Sequence, residues 1–140
     1  MLGRSWATLD GRDMIQYATT FSELVGFSAT NDPHGTILGW WRRVDRAVDD
    51  FYAAQSKRRP GRIADVERDL VASPDLGEEG MMLFRQLRLE RNRVAHRNVG
   101  SLTRQDAVVF AQQAHRLGWA IGAGIKLSDL QALPVDDSAV

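Results

Sequence analysis

The chain has 140 residues, 44% of them hydrophobic and 26% charged, with 18 basic residues balanced by 18 acidic ones and no cysteine. That length and balance describe one globular domain with a buried core and exclude a multidomain enzyme, a disordered chain and a fibrous one. The lack of cysteine removes disulfides, thiolate metal sites, iron–sulfur clusters and cysteine nucleophiles, and makes a cytoplasmic location the expectation.

The first predicted helix runs from Asp10 to Phe27, where Met14, Ala18, Phe21 and Val25 recur at spacings of four, three and four and mark one buried face. Asp10 or Asp13 can cap it. A loop is expected over Asn31-Asp32-Pro33-His34-Gly35, since proline, glycine and asparagine interrupt helices. From Thr36 to Gln55, Ile37, Trp41, Val44, Val48 and Phe51 form a second stripe. Arg42, Arg43, Arg46, Asp45, Asp49 and Asp50 lie off it, so ion pairs along that helix are expected. Pro60 and Gly61 then end a basic turn, 57–62, which reads as a solvated loop.

Ile63, Val66 and Leu70 mark a short third helix. After the break at 73–77, Glu78 and Glu79 favour a helix start, and Leu83, Phe84, Leu87 and Val94 stripe a fourth helix ending near His96. Thr103 and Asp106 form a capping box for a fifth, which buries Ala107, Phe110, Ala111, Ala114, Leu117 and Ile121. Strict alternation never persists beyond a few residues, so no strand is expected. The outcome is an all-α, four- to five-helix up-and-down bundle over residues 10–126, with flexible tails at 1–9 and 127–140.

The longest uncharged, apolar-leaning run, Leu117–Ile125, falls well short of the ~20 residues that cross a bilayer. The start of the chain lacks the pattern of an export signal. Neither membrane insertion nor export is expected.

Charge is concentrated although its sum is zero. Of the 18 basic residues all but Lys57 and Lys126 are arginine. The stretch 85–104 holds six of them (Arg85, Arg88, Arg91, Arg93, Arg97 and Arg104) against the single acid Glu90. Arginine suits phosphate, so the stretch is compatible with nucleic acid; taken alone, it reads as solvated helix faces in an arginine-rich, lysine-poor chain.

Most catalytic constellations lack parts. There is no glycine-rich phosphate loop, and His34, His96 and His115 are too scattered to suggest a metal site. Arg91 is the exception, because it follows Leu87 by four residues and Phe84 by seven and so falls on the apolar stripe. A guanidinium there requires a pair, a crevice or an anion. His96, five residues on, projects about 140° away on a regular helix. The two share one site only if the last turn loosens or if a two-fold dimer supplies the complementary pair. His96 alone reads as a surface or capping histidine.

The run Arg91-Asn92-x-x-x-His96, followed by a polar turn and the capped helix opening at Leu102-Thr103-x-x-Asp106-Ala107, resembles the HEPN superfamily (higher eukaryote and prokaryote nucleotide-binding domain). The similarity covers 83–121, and the specificity lies in the context of helix end, turn and capped helix. The resemblance implies a helical homodimer with the motif in a shared cleft. It also implies a metal-independent endoribonuclease of a toxin–antitoxin, phage-defence or stress system, with no cofactor and with an antitoxin or regulatory protein as a further partner. Arg91 and His96 would be the catalytic pair and Asn92 would shape the site. Arg85, Arg88, Arg93, Arg97 and Arg104 would follow the RNA backbone. Members paired with a nucleotidyltransferase-type antitoxin often carry a tyrosine two residues after the histidine, where this chain has Asn98, so the resemblance does not extend to control through that tyrosine.

Two other readings stand beside the enzyme. One is a non-catalytic module that binds protein, nucleotide or RNA through the same groove, because fold does not dictate activity. The other is a plain bundle in which Arg91 pairs with Glu90, Asp106 or another acid. Of the tryptophans, Trp41 and Trp119 are expected in the core, whereas Trp6 and Trp40 are undecided between core and base stacking.

Overall fold

In the computed structural model, which describes Tyr17, Phe21, Val25 and residues 28–96 and 102–130, every long element is an α-helix and the helices pack as one bundle. Tyr17, Phe21 and Val25 are helical and fully buried, and 28–31 continue as helix to a break of a single residue, Asp32. Helix α1 spans Pro33–Ala53, α2 Ile63–Val71, α3 Gly77–His96 and α4 Arg104–Ala123.

The loop expected over 31–35 is therefore a sharp corner. Asp32 caps α1 by accepting from the Gly35 amide at 2.9 Å, and Pro33 occupies the first helical position. Proline costs nothing there, since its missing N–H would have had no intrahelical partner. The residues read as helix breakers are helix starters in this context.

The capping box of α4 forms as its sequence spacing indicates. The Asp106 amide donates to Thr103 Oγ1 at 3.1 Å and the Thr103 amide donates to the Asp106 carboxylate at 2.9 Å. At its other end Gly124 adopts φ 65°, a left-handed cap that glycine tolerates without strain.

Alternate turns of these helices supply the core, including Ile37, Val44 and Val48 of α1, Phe84 and Val94 of α3, and Phe110, Ala111 and Leu117 of α4. The interface between α1 and α4 is the most extensive. Alanines at 107, 111, 114 and 120 on the buried face of α4 allow that close approach. Trp40 meets His115 near the start of α1, and Phe51 near its end shares a cavity with Ile121, so α1 and α4 run in the same direction. Helix α3 runs against α1: His34 meets Val94 while Trp41 meets Phe84.

The C-terminal stretch departs from the expected tail. Leu127 and Leu130 are buried around a short 3-10 turn, Leu127–Asp129. Arg116 holds their carbonyls, with Nε donating to Leu130 O at 2.6 Å and Nη2 to Leu127 O at 2.9 Å. Two leucines three residues apart make too short a pattern to read as a stripe. The expected tails at 1–9 and 131–140 lie outside the described residues, as do Asp10, Asp13, Met14, Ala18 and Trp6. Among the described residues, no helix is long and apolar enough to cross a membrane.

Candidate functional site

Arg91 stands in the last two turns of α3, half-buried, on the side facing α1. Its guanidinium carbon lies 5.2 Å from the centroid of the Trp41 ring, a cation–π distance. No carboxylate among the described residues pairs with it, and its Nε is buried with no hydrogen-bond partner. The acids that sequence reasoning offered it are engaged elsewhere. Glu90 pairs with Arg93 at 3.2 Å, and Asp106 closes the capping box. The bundle thus keeps a cation on an apolar face and meets it with an indole, leaving donor capacity unused.

Helix α3 stays α-helical through His96, so its last turn does not loosen. Within one chain Arg91 and His96 therefore point about 140° apart. Asn92 lies between them in azimuth and is half-buried, and His96 is exposed. Val94, on the opposite side of the helix end, is buried and anchors this turn to the core.

A third polar group meets this helix end. His34, in the first turn of α1, places Nε2 3.2 Å from the Val94 carbonyl oxygen. The carbonyls of a helix's last turn lack intrahelical partners, so an imidazole N–H satisfies one of them. Sequence reasoning missed this contact, and no sequence signal joins residues 60 positions apart.

The arginines expected to follow a nucleic-acid backbone are not equally available. Arg85 Nε donates to Glu67 Oε2 at 2.6 Å, and Arg88 Nη2 lies 3.8 Å from Glu67 Oε1. Glu67 comes from α2 and is only 8% exposed, so two of the six cations converge on a carboxylate outside their own stretch. Arg93 is exposed beside Glu90, and Arg104 Nε donates to Thr30 Oγ1 at 3.1 Å. Arg97 and Asn98 fall outside the described residues. The charge counted along the sequence is thus partly neutralised in space.

His115 is a core residue. It is 4% exposed, with Nε2 2.8 Å from the Tyr17 carbonyl oxygen and its ring against Tyr17, Phe21 and Trp40. Burial pushes its pKa down to about 4, so it is neutral in the fold at neutral pH. Trp40 and Trp41 are both buried, and Trp119 stacks on Tyr17 at 5.3 Å, half-buried at the core edge. Burial leaves neither Trp40 nor Trp41 a ring face open to a base. Among the described residues no group of three His, Asp or Glu side chains could hold a metal ion. Comparison with protein-family models, with curated proteins and with solved structures returns no match for this chain.

Proposed function

We propose that the protein is a metal-independent endoribonuclease acting as a homodimer, with Arg91 and His96 as its catalytic pair and Asn92 shaping the site. The observation that carries this reading is Arg91 itself: a half-buried guanidinium with no carboxylate partner among the described residues, seated on Trp41 near a helix end whose outer side bears His96. Its unused donors suit an anion better than a structural ion pair. The resemblance of Arg91-Asn92-x-x-x-His96 to the HEPN motif supports the same assignment.

The chemistry follows from these groups. The ribose 2′-hydroxyl attacks the adjacent phosphorus while an imidazole accepts its proton, and the 5′-oxygen leaves as it gains a proton. The products are a 2′,3′-cyclic phosphate and a 5′-hydroxyl. A guanidinium beside the non-bridging oxygens stabilises the charge growing on them. Two-fold pairing of the α3 ends would supply two arginines and two histidines to one groove. It would also overcome the divergence of the pair within one chain. A dimer of this kind in a toxin–antitoxin, phage-defence or stress system would act in the cytoplasm and be restrained by an antitoxin or regulatory protein.

The test is incubation of RNA in EDTA with the native chain, Arg91→Ala and His96→Ala. Cleavage by the native protein, lost by at least about 100-fold in both variants while the dimer persists, is expected. Restored cleavage when the two inactive variants are mixed and re-dimerised would show that the site is shared. RNA binding without cleavage by the native chain would instead favour a non-catalytic binding module.

A further inference from the structure

A cleft of about 700 Å³ lies away from Arg91, Asn92 and His96, on the outer side of α1 where it adjoins α4. Its rim carries Arg42, Arg43 and Arg46. The sequence sets acids beside these cations along the helix, and ion pairs among them are the expectation. The fold arranges the charges differently. Arg59, in the loop before α2, reaches back to Asp45 and Asp49 at 2.8 Å each, and takes both carboxylates. Among the described residues no acid pairs with Arg42 or Arg46, and Arg43 instead covers the Trp40 ring at 4.9 Å. Asp50 and Asp32 also line the cleft; Asp50 is not within ion-pair distance of any of the three, and Asp32 accepts the Gly35 amide as the α1 cap while keeping its charge, so three cations face two anions and the lining stays net cationic.

The floor is as informative as the rim. Gly39 of α1 and Gly118 and Gly122 of α4 line the cleft, and a Cβ at any of them would meet nothing within 4 Å. Bare backbone there leaves room for a bulky chain to approach both helices. Arg42 and Arg46 stand one helical turn apart, about 6 Å along the axis. Successive forks at that spacing suit a repeating anion better than a single ion. The guanidinium fork matches phosphate oxygens in a bidentate manner. Trp40, the one aromatic side chain among the described residues that line this cleft, is buried beneath Arg43 and gives a base little ring face to stack on.

We propose that this cleft binds the phosphodiester backbone of single-stranded nucleic acid without reading its sequence, with Arg42 and Arg46 as the principal phosphate contacts. The binding face is separate from the α3 helix end and independent of the cleavage reading.

The experiment is fluorescence anisotropy of the full chain with a fluorescein-labelled 2′-O-methyl oligouridylate, which lacks the nucleophilic hydroxyl and cannot be cleaved. It compares native protein, Arg42→Gln/Arg46→Gln and Arg58→Gln/Arg62→Gln over a salt series. Arg42 and Arg46 are exposed, so their double variant keeps the native circular dichroism spectrum. It is expected to bind at least about tenfold more weakly. Its log-affinity against log-salt slope should be shallower by about 1.4, the value for two lost contacts to a single strand. Arg58→Gln/Arg62→Gln, which removes equal charge from an exposed loop, is expected to stay within about twofold of native. Equal losses in both arginine pairs, or no loss in Arg42→Gln/Arg46→Gln, would overturn the assignment. So would displacement of the oligonucleotide by polyglutamate at matched charge, which would point to an acidic protein partner. Retained binding by a chain that cleaves no RNA would sink the nuclease and leave this cleft standing.

Discussion

The guanidinium of Arg91 rests on the indole of Trp41, 5.2 Å from the ring centroid, and this contact takes the place of the carboxylate that a half-buried cation ordinarily requires. The attraction is worth roughly 0.5–2 kcal/mol, enough to hold the side chain in place and too little to consume its hydrogen-bonding capacity. The helix pair that creates the contact, α1 against α3, also brings His34 to the Val94 carbonyl.

Stability and function separate at Arg91. Arg91→Met fills similar space on an apolar face and strands no carboxylate, so the unfolding free energy from urea titration is expected to stay within about 1 kcal/mol of native or to rise. RNA cleavage by the same variant is expected to vanish. A loss of more than about 2 kcal/mol would reveal a structural cation and remove the main support for the site.

Glu67 is expected to matter for stability out of proportion to its place on a short helix. Glu67→Gln leaves Arg88, whose side chain is 20% exposed, without its carboxylate, and weakens the hold on Arg85. The expected cost is about 2–3 kcal/mol, read as a drop in denaturation midpoint. Adding Arg85→Met and Arg88→Met to Glu67→Gln should recover much of it, because no uncompensated charge then remains. No recovery would mean that Glu67 acts through packing alone.

The pH dependence of folding is expected to carry the signature of His115. In the unfolded chain an imidazole titrates near 6.5, whereas in the core its pKa lies near 4. The associated stability is fully present above pH 6.5 and is lost as pH falls from there toward 4, at up to about 1.4 kcal/mol per unit. Denaturant midpoints taken from pH 7 to pH 5 should show the decline. His115→Gln, which keeps a donor for the Tyr17 carbonyl, should flatten it. An unchanged slope in that variant would assign the decline to other groups.

The capping box of α4 gives a test of local structure. Thr103→Ala and Asp106→Ala are each expected to cost about 1 kcal/mol, and the double variant less than the sum, because the two hydrogen bonds support one another. Strict additivity by thermal unfolding would argue against a reciprocal cap.

How much of this was legible in the sequence differs by element. The stripes of α1, α3 and α4 and the Thr103–Asp106 box depend on spacings within one helix, and they appear as read except that Phe51, Leu83 and Ile121 lie only half-buried at the edge of the core. The corner at Asp32 was misread because Pro33 and Gly35 break a helix interior but suit its first turn. Leu127 and Leu130 were read as tail since their burial depends on Arg116 fixing the chain against α4. At the candidate site, the placement of Arg91 on an apolar face followed from helical periodicity. Its partner did not, because Trp41 belongs to another helix.

Periodicity and capping residues alone determined that this chain is a helical bundle and that one arginine sits where a core residue belongs, since both are matters of a fixed rotation per residue. Which charges remain without an ion-pair partner among the described residues was decided only in three dimensions. Arg59 takes Asp45 and Asp49 from α1, and Glu67 draws Arg85 and Arg88 toward α2. Arg42 and Arg46 are left beside an open cleft and Arg91 on an indole, because electrostatic pairing depends on distance through space and not on separation along the chain.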